Sequence, residues 1–248
     1  MQTLQEFASG KLKLSKLPKL TSLDGFTFSD LSMSTRRKFL NRTFRVVVLD
    51  EKTTPDIRQD LFNRINTSGV KASDSEVRRG SYPGRLTSFI EECCKNELFI
   101  ALCPISKSKA VRQERFELVL RFFAYLYNYQ NFEHEVNSFL NAFLANNLET
   151  FDEAQYKSDF ESMLNFVKEH FEFGFAKTKN ATTTPRVRFE ALSVGVALAL
   201  KECPNLHIDN IAWIDSDEFK EHTTSDASNN EGKLAARVEY VRDKLLGR

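Results

Sequence analysis

The residue types best suited to chemistry lie in one stretch, LFNRINTSGVKASDSEVRRG, residues 61–80. Arg64, Asn66, Thr67 and Gly69 come first, and Glu76, Arg78 and Arg79 follow. Asn66 and Gly69 tolerate a left-handed backbone, so they end one helix and turn the chain. A second helix begins near Ser73, and the free amides of a helix N-terminus attract anions. Guanidinium forks beside such a corner match a phosphate. The pattern therefore offers anion binding, although turn formation and capping alone account for the same residues.

Other chemistries find less support. Cys93, Cys94, Cys103 and Cys203 form no CxxC pair, and His134, His170, His207 and His222 are scattered, so no metal site is assigned. The cysteines read as small buried hydrophobes. NNEGK (229–233) lacks the spacing of a phosphate loop and a preceding strand. DSDEF (215–219) reads as a helix start, where acids offset the dipole, rather than as metal ligands. No residue is assigned as catalytic. Unpaired thiols and the lack of a signal-peptide pattern point to a reducing cytoplasm. No apolar run approaches the roughly 20 residues of a membrane span.

The elements that must hold the corner are mostly helical. A first helix through TLQEF ends at Gly10, KLKL (11–14) alternates with period two, and SMSTRRKFLNR reads as a short helix. TFRVVVLD (43–50) has the β-branched run of a strand. Beyond Thr54-Pro55 the helix signals hardly stop. SDSE (73–76) and TFDE (150–153) fit the capping box. Stripes through Phe116–Tyr127, Phe132–Phe143 and Phe160–Phe171, and an almost wholly apolar FEALSVGVALAL, predict a phenylalanine-rich helical core, with 22 Phe in 248 residues. A last helix carries Leu234, Val238, Val241 and Leu245. The expected fold is mainly α (α+β): a small N-terminal β remnant, residues 1–52, followed by a multi-helix body, 53–248. No internal repeat is present.

Thirty-five basic and 34 acidic residues nearly cancel, which argues against a strongly electropositive coat but not against a local patch. Arg36, Arg37, Lys38, Arg42 and Arg45 cluster in one segment, and Lys177, Lys179, Arg186 and Arg188 in another. Either could track a DNA backbone; solvated surface is the default for both.

The corner resembles the F-x-R-[IL]-N-T-x-G … S-x-x-E-[ILV]-R motif of the GmrSD-type restriction NTPase N-terminal family. The flanking VVVLD, ERFELVLRFFAYL, RFEALSVGVALAL and RVEYVRDKL extend the likeness over most of the chain. The resemblance implies that residues 1–52 are a partial ParB/sulfiredoxin-like domain. It places Arg64, Asn66, Thr67 and Gly69 along a nucleotide or phosphate pocket, with Glu76 and Arg78 shaping its wall. Arg64 would neutralise phosphate charge, Asn66 would orient a phosphate or a water, and Glu76 would cap its helix and hold Arg78. In the family a D-G-Q-Q-R-like segment precedes a Thr-Leu pair. Here the chain opens MQTLQEF, and no D-G-x-Q-R occurs in it. A truncated or late-started chain is expected, binding poorly and turning over little. The resemblance further implies a bacterial restriction or antiphage defence component, with DNA and a nuclease subunit or domain as partners. No cofactor is assigned to this chain; NTP with Mg would act in a full-length form. Arg36, Arg37, Arg42, Lys233 and Arg237 are the candidate DNA contacts, although Glu239 and Asp243 interleave with the last group. The alternative is a non-catalytic helical module that binds DNA or a protein.

Overall fold

The computed structural model describes residues 2–15, 17, 19–44, 53–54, 57–58, 60–61, 72–133, 135–208, 210–224 and 232–248. The chain divides into two compact units, Met1–Lys52 and Thr53–Arg248. Both are helical, and among the described residues there is no strand. The expected β remnant is therefore corrected in part: Lys11–Leu14 forms no strand. Two backbone hydrogen bonds hold its end, the Leu14 amide donating to the Phe26 carbonyl (2.8 Å) and the Gly25 amide to the Leu14 carbonyl (2.7 Å). Of the expected strand 43–50, Thr43 and Phe44 are irregular and 45–50 lie outside the described residues.

In the first unit, α1 (Gln2–Ala8) ends just before Gly10, whose φ of +75° is the left-handed stop that glycine allows. Ser32 caps α2 (Met33–Leu40), its hydroxyl accepting from the Thr35 amide. Phe7, Phe28 and Phe39 meet edge to face with centroids 5.5–5.8 Å apart, the favoured arrangement of aromatic quadrupoles. That trio is the unit's small core.

In the second unit the Ser73–Glu76 capping box opens α3 (Asp74–Ser81). There follow α4 (Arg85–Cys93), α5 (Glu97–Leu102), α6 (Lys107–Val111), α7 (Glu114–Asn128), α8 (Val136–Asn147) and α9 (Glu153–His170). The long α10 (Arg186–Glu202), α11 (Asp217–His222) and α12 (Lys233–Leu245) complete it. The cap of α9 is not the Thr150 hydroxyl. Asp152 accepts from the Gln155 amide at 3.0 Å, because a carboxylate one residue before the helix reaches the orphan donors directly. The α10 helix runs through the interior, packed by α7, α9 and α12, which is why its apolar residues show no single face. Phe99, Phe122, Phe123, Phe160, Phe175 and Phe189 fill the space between these helices, all at most 2% exposed. Gly174 (φ +56°) brings its backbone against Leu102, where a Cβ would lie 2.6 Å from the carbonyl oxygen. No described helix is long and apolar enough to cross a membrane.

Gly195 sets the approach of α10 to α12. A Cβ there would fall 2.5 Å from Val241 Cβ and 2.8 Å from the Val238 carbonyl oxygen. Alanine is the better helix former by roughly 1 kcal/mol, yet the overlap with backbone outweighs that gain. Gly195→Ala is expected to destabilise the chain by about 1–3 kcal/mol, read as a lower midpoint in urea unfolding; an unchanged or higher midpoint would refute the close approach.

Candidate functional site

Five charged side chains run through the second unit as one alternating series. Arg78 Nη1 of α3 donates to Glu117 Oε2 of α7 at 2.6 Å, and Glu117 Oε1 accepts from Arg121 Nε at 3.0 Å. Arg121 Nη1 donates to Glu190 Oε1 of α10 at 2.6 Å, and Glu190 Oε2 accepts from Arg237 Nη1 of α12 at 2.7 Å. Each glutamate thus uses both oxygens to bridge two arginines. All five residues are at least nine-tenths buried, and Arg78 and Arg237 are 1% exposed. Charges so far from water persist only when paired and hydrogen-bonded. The remaining nitrogens of Arg78 are also engaged: Nε donates to Asn141 Oδ1 and Nη2 to Asn137 Oδ1, both at 2.9 Å. Asn137 in turn donates to Asp74 Oδ2 at 3.1 Å.

A cavity of about 770 Å³ opens over the middle of this series. Glu117, Arg121 and Glu190 form its floor, and three helix N-termini form its walls. Ser73, Asp74 and Ser75 come from the start of α3, Glu135, Val136 and Asn137 from the start of α8, and Pro185, Arg186 and Val187 from the start of α10. Arg112 completes the rim. The Ser75 hydroxyl donates to the Gln113 carbonyl at 3.0 Å and joins the start of α3 to the residues before α7. Gln113 is held at φ +61°, the left-handed region that costs a non-glycine residue. No side chain caps α10. Arg186, half exposed, instead makes a two-pronged pair with the buried Glu114, Nε to Oε1 at 2.7 Å and Nη2 to Oε2 at 2.6 Å.

Chemically the cavity offers guanidinium groups and first-turn helix dipoles, which favour an anion. Glu117 and Glu190 are neutralised by arginine, leaving Asp74 and Glu135 as lining carboxylates outside any described ion pair. Burial of Arg121 opposes its charge, and Glu190 and Glu117 more than restore it, so the guanidinium stays protonated. Cys93, Cys94 and Cys103 offer no nucleophile: burial pushes these thiols up to about 12. Among the described residues no group of His, Cys, Asp and Glu is arranged to hold a metal ion.

The corner residues Arg64, Asn66, Thr67 and Gly69 lie outside the described residues. Ala72–Ser75, which directly follow them, stand on the cavity wall. Glu76 does not. Its carboxylate accepts from the Ser73 amide at 2.7 Å, and it lines a separate groove of about 530 Å³ with Arg79, Glu91 and Gln113. Arg78 shapes the site from behind, as a sealed strut under the floor. Arg237 is corrected as a DNA contact, because its guanidinium is buried against Glu190 and the Lys233 carbonyl, out of reach of any phosphate backbone. Lys233 is exposed. Arg37 and Arg42 are exposed, whereas Arg36 is half-buried with Nε donating to the Leu31 carbonyl at 3.0 Å. The basic segment around residue 180 breaks up as well: Arg186 is paired to Glu114, and Arg188 is buried against the Phe219 ring.

Arg112, Glu117, Arg121 and Glu190 are site residues that motif reading missed, and Arg186 it offered only within a DNA-tracking basic segment. The available signal was charge inside apolar stripes: Glu117 and Arg121 four apart in ERFELVLRFF, and Glu190 opening FEALSVGVALAL. Comparison of the chain with protein-family models, characterised proteins and solved structures returns no match.

Burial raises the Glu117 carboxyl, but Arg78 and Arg121 beside it more than offset this, and the group sits below its ordinary 4.5. A carboxyl lowered on folding contributes stability that is whole above its unfolded value and is lost as pH falls through the folded one. Unfolding free energy should therefore decline below about pH 4.5. Glu117→Gln should lose about 3–5 kcal/mol at neutral pH and show a flatter acid decline; urea curves running parallel from pH 7 to pH 3 would remove this role.

Proposed function

We propose that this chain is a cytoplasmic component of a bacterial restriction or antiphage defence system of the GmrSD kind, and that its cavity binds the phosphate end of a nucleotide. The observation that supports this reading is a continuity. The F-x-R-I-N-T-x-G corner leads straight into Ala72–Ser75, and these residues face Arg112, Arg121 and Arg186 across the cavity. A phosphate there would meet planar guanidinium donors at the rim and helix amides on the walls, two kinds of group that recur wherever phosphates are held. The floor requires no rearrangement, since its charges are already fixed to one another. Asp74 and Glu135 would suit a magnesium ion carried in on the phosphates, an ion that takes only one or two protein carboxylates in such sites. On this reading the described residues bind and orient the nucleotide, and DNA and a nuclease subunit are the partners through which the system acts.

The test is calorimetric titration of the full chain with ATP and with GTP, each with and without magnesium. Binding should weaken at least about tenfold in Arg112→Ala and in Arg186→Ala, in keeping with roughly 1.5–3 kcal/mol for a hydrogen bond to a charged group. Arg112 is exposed, whereas Arg186→Ala also leaves the buried Glu114 without its partner, so the urea midpoint of each variant is measured beside its affinity. Arg64→Ala should weaken binding as well. Absence of nucleotide binding at millimolar concentration, or equal affinity in all three variants, would overturn the reading.

A further inference from the structure

Seven charged side chains are buried among the described residues, and six of them are in ion pairs. Arg78, Glu117, Arg121, Glu190 and Arg237 form the series, and Glu114 holds Arg186. The exception is Arg188, in the first turn of α10 and 7% exposed. Its guanidinium has no ion pair and no hydrogen bond among the described residues, and Nε is sealed from solvent. Its one neighbour of note is the face of Phe219, 5.2 Å away at the ring centroid. Burial holds its pKa below the ordinary arginine value, and the charge of exposed Asp215 opposes this only from a distance. A second donor is orphaned against the same ring. Trp213, in the turn Ala212–Asp215, packs edge to face on Phe219 at 5.6 Å, and its indole N–H is buried without an acceptor among the described residues. A ring face returns only part of what desolvation costs a guanidinium.

We propose that Arg188 is the buried anchor of a site for a single carboxylate carried on an apolar body. A guanidinium takes a carboxylate in its own plane, through two parallel hydrogen bonds, while Phe219 occupies its face. Charge selects a carboxylate over a phosphate. One unpaired cation balances one negative charge, whereas a phosphate group carries up to about two. The surplus would meet Asp215, Asp217 and Glu218, all exposed around the start of α11. The same acids turn away a polyanion. The apolar body is matched by Trp213 and Tyr240, both half-buried and both packed on Phe219, at 5.6 and 6.2 Å. Arginine set among aromatic rings is the usual anchor of such a contact, since the rings exclude the water that would screen it. Arg188 does not line the cavity, so the inference does not rest on nucleotide binding there. The carboxylate belongs either to a free acid or to the end of a peptide chain, which present the same group.

Trp213 is the chain's single tryptophan, so its fluorescence reads this site directly. The full chain is titrated with phenylpropionate, a free acid, and with N-acetylphenylalanine, a mimic of a chain terminus, each beside its uncharged amide. Both acids should change the emission saturably at millimolar concentration and neither amide should; the tighter acid names the source. Arg188→Met should weaken binding at least about tenfold, as hydrogen bonds to a charged group imply. Having shed an unpaired buried charge, it should also unfold at a higher urea concentration than the parent. Arg188→Lys keeps the charge but not the two parallel bonds, and should bind more weakly than the parent, which keeps the test decisive if the methionine variant misfolds. Arg112→Ala, in the cavity, should respond like the parent. Asp215→Asn should bind the acids more tightly with an unchanged urea midpoint. A lower midpoint in Asp215→Asn would make Asp215 the partner of Arg188 and overturn the proposal. So would no response to either acid, equal responses to acid and amide, tighter binding of inorganic phosphate, or loss of the response in Arg112→Ala.

Discussion

The second unit depends on a problem of solvation. Five ionised side chains occupy a core otherwise filled by phenylalanine and leucine, and none can be accommodated there alone. The solution is alternation, in which each carboxylate lies between two guanidiniums and each interior guanidinium between two carboxylates. Because the members come from α3, α7, α10 and α12, satisfying them fixes the mutual rotation of four helices. Aromatic packing alone would tolerate several neighbouring arrangements of comparable density, whereas hydrogen bonds of 2.6–3.0 Å tolerate few. Such pairs add little net stability over a hydrophobic substitute. Their contribution here is to the choice among packings.

The cavity is a by-product of that choice. Helices α3, α8 and α10 begin around one cavity: Arg78, through Asn137 and Glu117, ties the first two to α7, and Glu190 ties α7 to the third. Their N-termini converge on the uncovered middle of the ion series. The series as a whole sets three arginines against two glutamates, and the two end arginines, Arg78 and Arg237, lie behind the floor rather than on it. A polar floor that is already fully engaged cannot collapse to fill the space above it, so the opening is a stable part of the fold.

What was legible in the sequence followed from period and capping. The Ser73–Glu76 box, the helix-opening acids Asp217 and Glu218, and the apolar steps of α7, α9 and α12 all depend on residues near in sequence, and the structure has them. The start of α9 was misjudged by two residues because Thr150 and Asp152 are both good caps, and only local geometry selects between them. The ion series was illegible as a whole. Glu117 and Arg121 sit one turn apart and resemble an ordinary surface pair, while Arg78, Glu190 and Arg237 are dozens of residues distant and meet through tertiary packing. For the same reason Arg237 read as a surface cation.

The bridging geometry also restricts how such a protein can diverge. Replacing Glu190 alone takes one carboxylate from two guanidiniums, and replacing Arg121 alone takes one guanidinium from two carboxylates, so each single step unbalances two buried partners at once. Lineages would be expected to keep all five members together or to exchange them jointly for an apolar set of matching volume. Intermediate genotypes would be rare, and positions 78, 117, 121, 190 and 237 would co-vary as one heritable block.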